Sequence, residues 1–222
     1  MDKTILNENQ KRLLDVIGQN SKLRDFFYLT GGTALAEFYL KHRLSEDLDF
    51  FSENEFDVAG PNAFFAKIKP KIGIKKIEYQ QSFNRNLYFI DFKNSSVKAE
   101  FTYFPFPAIE KRAKHGHLRV DSVIDIATNK LFTIYQKPRS RDFIDLYCIN
   151  KVFGFTVADL VKKAKMKFDF HIDPLQLGSQ FLKAGILKDY PAMLIDLKDK
   201  DWQGFFENEA LKIKEKIIQH NK

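Results

Sequence analysis

The stretch from Phe26 to Ser52 constrains this chain more than any other part of it. Phe26 to Thr30 (FFYLT) is an apolar run that stops at Gly31-Gly32. Such a run closed by a glycine pair predicts a buried strand followed by a sharp turn. Thr33 to Lys41 then has helical composition, with Ala34, Leu35, Phe38 and Tyr39 spaced for one face. Asp47 to Ser52 (DLDFFS) reads as a second strand. Strand, turn, helix and strand in so short a span commit this part of the chain to an α/β layer arrangement.

The pattern continues for a while and then changes. Residues 8–18 read as an amphipathic helix with Leu13, Leu14 and Ile17 on one side, and 63–69 as a helix stopped by Pro70. Strands are expected over 74–80, 86–93 and 96–104, with turn signals at Asn84 and Asn94-Ser95. From about Asp121 the periodicity is helical, over 121–136, 140–151, 156–166, 174–184 and 204–219. We therefore expect an α/β domain over 1–118 and an all-helical domain over 119–222. No internal repeat or low-complexity tract interrupts them.

Composition narrows the class. With 44% hydrophobic and 29% charged residues in 222, the chain has enough apolar material for a full core. Most of the 23 Phe are expected in that core. No run of eighteen apolar residues exists, so no membrane span is expected. The segment MDKTILNENQKR has no apolar stretch after its charges and does not read as a signal peptide. Cys148 is the single cysteine, in an apolar helical stretch; inert packing in a reducing, cytoplasmic setting is the expectation. The net charge of +7 leans toward a polyanionic partner, RNA or a nucleoside triphosphate.

Asp47 and Asp49 carry the chemistry. Residues two apart on a strand project to one face, so these carboxylates stand side by side. Such neighbours repel and raise one pKa unless a cation lies between them. A divalent ion resolves the conflict: Mg²⁺ takes hard oxygen ligands and is often held by one or two carboxylates together with substrate phosphates. Mn²⁺ would serve likewise. Gly31-Gly32 lets the backbone approach a ligand closely, and the helix starting at Thr33 favours phosphate at its N-terminus. The plainer alternative is a turn followed by a half-exposed strand with two solvated acids.

Further candidates sit on later elements. Lys98 and Glu100 share one face of the strand 96–104. Glu100 offers a third metal ligand or a general base, and Lys98 a phosphate contact; an exposed salt-bridging pair is the bland reading. Asp91 is a rival third acid, ranked lower. Lys130 lies on a helix among Ile126, Leu131 and Ile134, and Asp142 and Asp145 are neighbours on another helix face, beside Arg139 and Arg141. A Lys and an Arg aimed at a transferring phosphoryl group would stabilise its charge; the alternative is a salt-bridge network between helices. His115 and His117 lack partners for a zinc site. The run Lys162-Lys163-Ala164-Lys165-Met166-Lys167 reads first as a solvated helix face. With an RNA acceptor, this run and Lys111-Arg112 are the first candidates for phosphate contacts.

These residues resemble those of the polymerase-β-type nucleotidyltransferase superfamily, and more closely the AbiEii/AbiGii toxin family. The family's first motif is similar to Gly31-Gly32-Thr33 followed by Arg43-Leu44-Ser45-Glu46-Asp47-Leu48-Asp49. A later one is similar to Lys130 followed by Arg141-Asp142-Phe143-Ile144-Asp145-Leu146-Tyr147. Thr33 stands where the superfamily often has Ser, and Glu100 matches less sharply than the first motif. The likeness spans roughly 26–150; the C-terminal third shows no motif. It implies a mixed sheet with flanking helices and a helical C-terminal domain. It further implies transfer of a nucleotide from an NTP with release of pyrophosphate. On this resemblance Asp47, Asp49 and Glu100 hold the metal, and Lys130 and Asp142 join them in catalysis. Gly31, Gly32, Thr33, Arg43, Ser45, Lys98, Arg141 and Asp145 line the nucleotide site. An RNA or tRNA acceptor and a cognate antitoxin are the implied partners. A small-molecule nucleotidyltransferase and a catalytically silent nucleotide-binding module remain the rival functions.

Overall fold

The structure, a computed structural model, describes residues 4–220. Met1 to Lys3, the start of the segment read as lacking a signal peptide, lie outside the described residues. Packing divides the chain into two units, the first ending at Ser122 and the second starting at Val123.

The first unit opens with helices α1 (Glu8–Gln19) and α2 (Ser21–Phe26), then β1 (Tyr28–Thr30) and α3 (Gly31–Leu35). The helix continues through Ala36–Leu40 as a π-turn, closed by Lys41 N–H donating to the Ala36 carbonyl at 2.9 Å. Then come β2 (Asp47–Ser52), α4 (Ala59–Ile68), β3 (Lys76–Ser82), β4 (Arg85–Asp91), β5 (Ser96–Tyr103), β6 (Ala113–His115) and β7 (Leu118–Val120). One seven-stranded mixed sheet results, in the order β3-β4-β5-β2-β1-β7-β6. β2 pairs parallel with β5 and antiparallel with β1, which pairs parallel with β7.

Alternation along β2 decides where chemistry can occur. Leu48, Phe50 and Ser52 are buried, while Asp47, Asp49 and Phe51 on the other face are half-exposed. The buried face joins Ala99 and Phe101 of β5 to Tyr88 and Ile90 of β4. Phe50 and Phe101 stack with centroids 5.1 Å apart, and Phe65 of α4 packs on Tyr88 at 4.5 Å. Burying such side chains contributes about 1.5–3 kcal/mol each, so β2 is held firmly from behind. Its approach is fixed as well. Asn7 and Gln10 form a reciprocal cap at the start of α1, and the Gln10 amide donates to the Ser45 and Glu46 carbonyls at 2.9 and 3.0 Å.

The second unit is all helical: α5 (Val123–Gln136), α6 (Ser140–Phe153), α7 (Val157–Phe168), α8 (Pro174–Leu182), a 3₁₀ turn at Lys183–Gly185, and α9 (Asp199–His220). Gly154, at φ 73°, ends α6, and Asp173 caps α8 ahead of Pro174. Phe143, Phe181, Trp202 and Phe206 are fully buried and form its aromatic core. Cys148, the single cysteine, is buried. Among the described residues no helix is long and apolar enough to cross a membrane.

Several expected elements differ. The run Phe26–Thr30 yields only a three-residue strand, because Asn20 caps a short helix that uses residues to Phe26. The helix expected over 63–69 begins at Ala59; Pro61 sits in its first turn, where amide hydrogens lack helical acceptors anyway. The β6–β7 hairpin, turning at Gly116, was not expected at all. α9 starts at Asp199 rather than 204.

Candidate active site

β2 lies near the middle of the sheet, and Asp47 and Asp49 both project from its half-exposed face. Register extends that face sideways: Asp49 pairs with Thr30 on β1 and with Glu100 on β5, and Asp47 pairs with Lys98. The Gly31-Gly32 turn closes over the same spot. Gly31 has φ +75°, a conformation glycine adopts without strain, and a Cβ there would collide with the Asp49 carboxylate. A Cβ on Gly32 would run into the Arg43 guanidinium and stand 3.1 Å from Ser45 Oγ. Close approach of the motif's own side chains thus bears on both glycines, and at Gly31 the left-handed backbone adds a second requirement. Thr33 is buried, and its hydroxyl donates to the Asp47 carbonyl, tying the helix start to β2.

Arg43 is buried at 2% exposure and donates to the Leu44 carbonyl at 2.9 Å. Its place beside the glycine turn makes it a brace for the loop entering β2. The Thr30 side chain makes no cap bond to α3. Its hydroxyl donates instead to Asp121 at 2.8 Å, and Tyr39 donates to the Asp121 carbonyl at 2.7 Å. Arg112 pairs with Asp121 and Glu53 and lies 3.5 Å over the Tyr28 ring. The sequence had offered Arg112 for RNA phosphates; in the structure its charge is committed to these internal carboxylates.

The carboxylates carry built-in counter-charges. Lys98 Nζ donates to Asp47 at 2.7 Å. Glu100, 4% exposed, accepts from Arg85 Nε and Nη2 at 2.7 and 2.6 Å and from the Thr102 hydroxyl at 2.7 Å. Burial pushes the Glu100 carboxyl up, but the Arg85 and Thr102 donors outweigh it and hold the group below the usual carboxylate range. The Arg85 guanidinium is in turn raised, first by its hydrogen bond to Glu100, with Asp49 and Asp47 adding to the effect. Sequence reasoning missed Arg85. Counting the hairpin register outward from Asn94-Ser95 would have found it, since Asp91 opposes Ser96 and Arg85 opposes Thr102. The same register places the rival acid Asp91 beside Ser96, two residues beyond Lys98.

A divalent cation fits the Asp47–Asp49 pair: two half-exposed carboxylates on one face, beside a backbone turn that admits no side chain. Among the described residues no group of three or more His, Cys, Asp or Glu is arranged to hold a metal. Two carboxylates suffice for an ion that takes its other ligands from phosphates and water. Glu100 does not join them in this arrangement, since Arg85 and Thr102 occupy it.

The later motif belongs to the second unit. Lys130 Nζ lies 2.8 Å from Asp142 and 2.7 Å from Asp145, and Arg139 Nε lies 2.8 Å from Asp142. Both aspartates are fully buried. Burial pushes the Asp142 carboxyl up, yet Lys130 and Arg139 hold it below its ordinary range. Arg139, not Arg141, is the guanidinium on Asp142; Arg141 is half-buried. In the basic run, Lys162, Lys163 and Lys165 sit on the outer surface of α7 or near it, but Lys167 is buried and pairs with Asp125 at 2.7 Å. His115 packs against Phe38, with ring centroids 4.2 Å apart.

A family model described as "Nucleotidyl transferase AbiEii toxin, Type IV TA system" matches residues 12–213. The chain belongs to this family. It is therefore a nucleotidyltransferase, and the matched stretch includes the Gly-Gly turn and the paired carboxylates. An uncharacterized protein of Aquifex aeolicus (strain VF5) is 29% identical over 175 residues, covering 75% of this chain and 79% of that one. Among solved structures, JHP933 from Helicobacter pylori is similar at 23% identity and TM-score 0.58, covering 97% of this chain and 96% of that one. A second H. pylori structure is similar at 22% identity and TM-score 0.60, covering 96% of this chain and 98% of that one. At these identities the likeness is one of fold.

Proposed function

We propose that this family member transfers a nucleoside monophosphate from an NTP to a terminal hydroxyl of an RNA, and that it acts as the toxin of a toxin–antitoxin pair. The observation that carries the reading is the contact between Gly31 and Asp49: the glycine turn and the same-facing carboxylates form one place. In the reaction the acceptor oxygen attacks the α-phosphorus. A new P–O bond forms to the acceptor as the bond to the bridging oxygen breaks, and pyrophosphate leaves. Asp47 and Asp49 would hold Mg²⁺, which when bound offsets charge on the α-phosphate and on the leaving pyrophosphate.

The chain's own residues do the rest. Gly31 and Gly32 let the Asp49 carboxylate and the Arg43 guanidinium close on the turn where the triphosphate would lie, with Thr33 fixing that turn to β2. Arg43 and Ser45 support that turn from the loop before β2. Lys98 neutralises Asp47 until substrate arrives. Glu100 anchors Arg85 beside the pair and reaches a metal or an acceptor proton only by giving up that ion pair. The net charge of +7 supports a polyanionic acceptor over a neutral one.

The test is incubation with each labelled NTP, Mg²⁺ and total RNA, resolved on a gel, beside a parallel arm with aminoglycosides. Labelled RNA is the expected product, and Asp47→Asn or Asp49→Asn should remove it while leaving the melting temperature near that of the parent. Full transfer by both variants, or label appearing only on the small molecule, sinks the proposal.

A further inference from the structure

Beyond the carboxylates, the first unit holds an open cavity of about 560 Å³ lined by Arg24, Asp25, Lys114, Gly116, His117 and Arg119. Its charge is unbalanced: three permanent cations face one carboxylate. That carboxylate, 71% exposed, lies 3.4 Å from Arg24. Lys114 and Arg119 are directly opposed in the β6–β7 ladder. Like charges so placed on neighbouring strands destabilise a hairpin, and one with strands of only three residues has little else to hold it.

Arg119 has a structural reason to be there. Its guanidinium donates to the carbonyls of Arg24, Asp25 and Phe27 at 3.2, 2.8 and 3.3 Å, capping the end of α2. No such reason places Lys114 across from it. An anion in the cavity supplies one, since it would turn the repulsion into two attractions.

Register also sets which face of the sheet the cavity's two strand cations share. Val120 pairs with Leu29, which puts Arg119 alongside Tyr28 in the parallel β1–β7 ladder. Tyr28 and Thr30 share a face, and they oppose Phe51 and Asp49. Arg119 and Lys114 therefore lie on the face that bears the catalytic carboxylates. β7 and β6 are the second and third strands from β2, roughly 10–15 Å across the sheet at ordinary strand spacing, and Arg119, level with Tyr28, lies about 7 Å further along the strands from Asp49. That separation suits a chain of linked phosphates running from the reacting hydroxyl, and exceeds what a triphosphate on Asp47 and Asp49 would span sideways.

We infer that this cavity binds a backbone phosphate of the polynucleotide acceptor, a few nucleotides from the end that receives the transferred nucleotide. The inference rests on the RNA-acceptor reading above. Lys114 and Arg24 bind the phosphate, Arg119 shapes the floor, and Gly116 at the hairpin tip (φ +59°) leaves the entrance clear.

The experiment measures binding of a labelled single-stranded RNA to the full chain across salt concentrations, without NTP. The Arg24→Ala/Lys114→Ala double variant is compared with Lys69→Ala/Lys71→Ala, which removes the same charge from an exposed site elsewhere. The cavity variant should lose on the order of tenfold in affinity, and its log–log salt slope should fall by about 1.4, two contacts at about 0.7 each. Inorganic phosphate should compete weakly. A third variant, Lys114→Glu, should raise the melting temperature, because it pairs with Arg119, and still weaken RNA binding; a merely structural hairpin would not give those opposite signs. Unchanged affinity in the cavity variant, an equal loss in the Lys69/Lys71 control, or inorganic phosphate displacing RNA at equal concentration would overturn the assignment. Transfer to RNA by the parent chain, read in the gel assay, judges the acceptor reading separately.

Discussion

At the scale of single residues, the two glycines do different work. The left-handed backbone at Gly31 costs an alanine about 1–2 kcal/mol, and the added methyl would also displace Asp49. Gly31→Ala should therefore lower stability by about that amount. It should cut transfer by about 10²-fold, the usual effect of shifting a reacting group by an ångström. Gly32→Ala meets the end of the Arg43 side chain, which can swing aside, so its melting temperature should change less. Thermal melts and initial rates of label transfer check both; an active Gly31→Ala enzyme would detach Asp49 from the chemistry. The sequence announced the pair of glycines, since nothing else ends an apolar run so abruptly. It did not disclose which side chain crowds each one, because that depends on strand register across a helix.

At the scale of elements, periodicity made the long helices and the β4–β5 hairpin legible. Three-residue strands were harder to read: β6 and β7 are too short to show alternation and were missed, and β1 was expected but with its start blurred by the helical residues Phe26 and its predecessors. Lysines were the other blind spot. Lys167 looked like part of a solvated run, and Lys130 first like a cation aimed at a phosphoryl group, with a salt-bridge network between helices as the alternative; each is buried against aspartate from another helix. Replacing Lys130 with Met leaves two buried carboxylates without their shared cation, a loss of about 3–5 kcal/mol. We expect Lys130→Met to melt well below the parent by circular dichroism. A normal melt with lost transfer would instead make Lys130 a chemical residue, as the family likeness implies, and would set aside the view that α5 and α6 depend on it.

At the scale of the molecule, charge and pH act together. Glu100 in the first unit and Asp142 in the second both have carboxyls held below their ordinary range by partnered cations. A carboxyl depressed in the folded chain stabilises it fully above the unfolded value, about 4. That contribution is lost as pH falls through the lower folded value. Protonation also makes a chain that already carries +7 more positive, adding self-repulsion in the same direction. The melting temperature should thus hold steady from about pH 7 to 5 and fall steeply below about 4. Asp142→Asn separates the two effects. At neutral pH it should melt below the parent, because Lys130 and Arg139 lose their charged acceptor. As the pH drops the parent loses that same ion pair, so the gap between the two melting curves should narrow. A gap that stays constant down to pH 2 would mean that the ionised Asp142 contributes nothing, and that acid sensitivity arises from net charge alone.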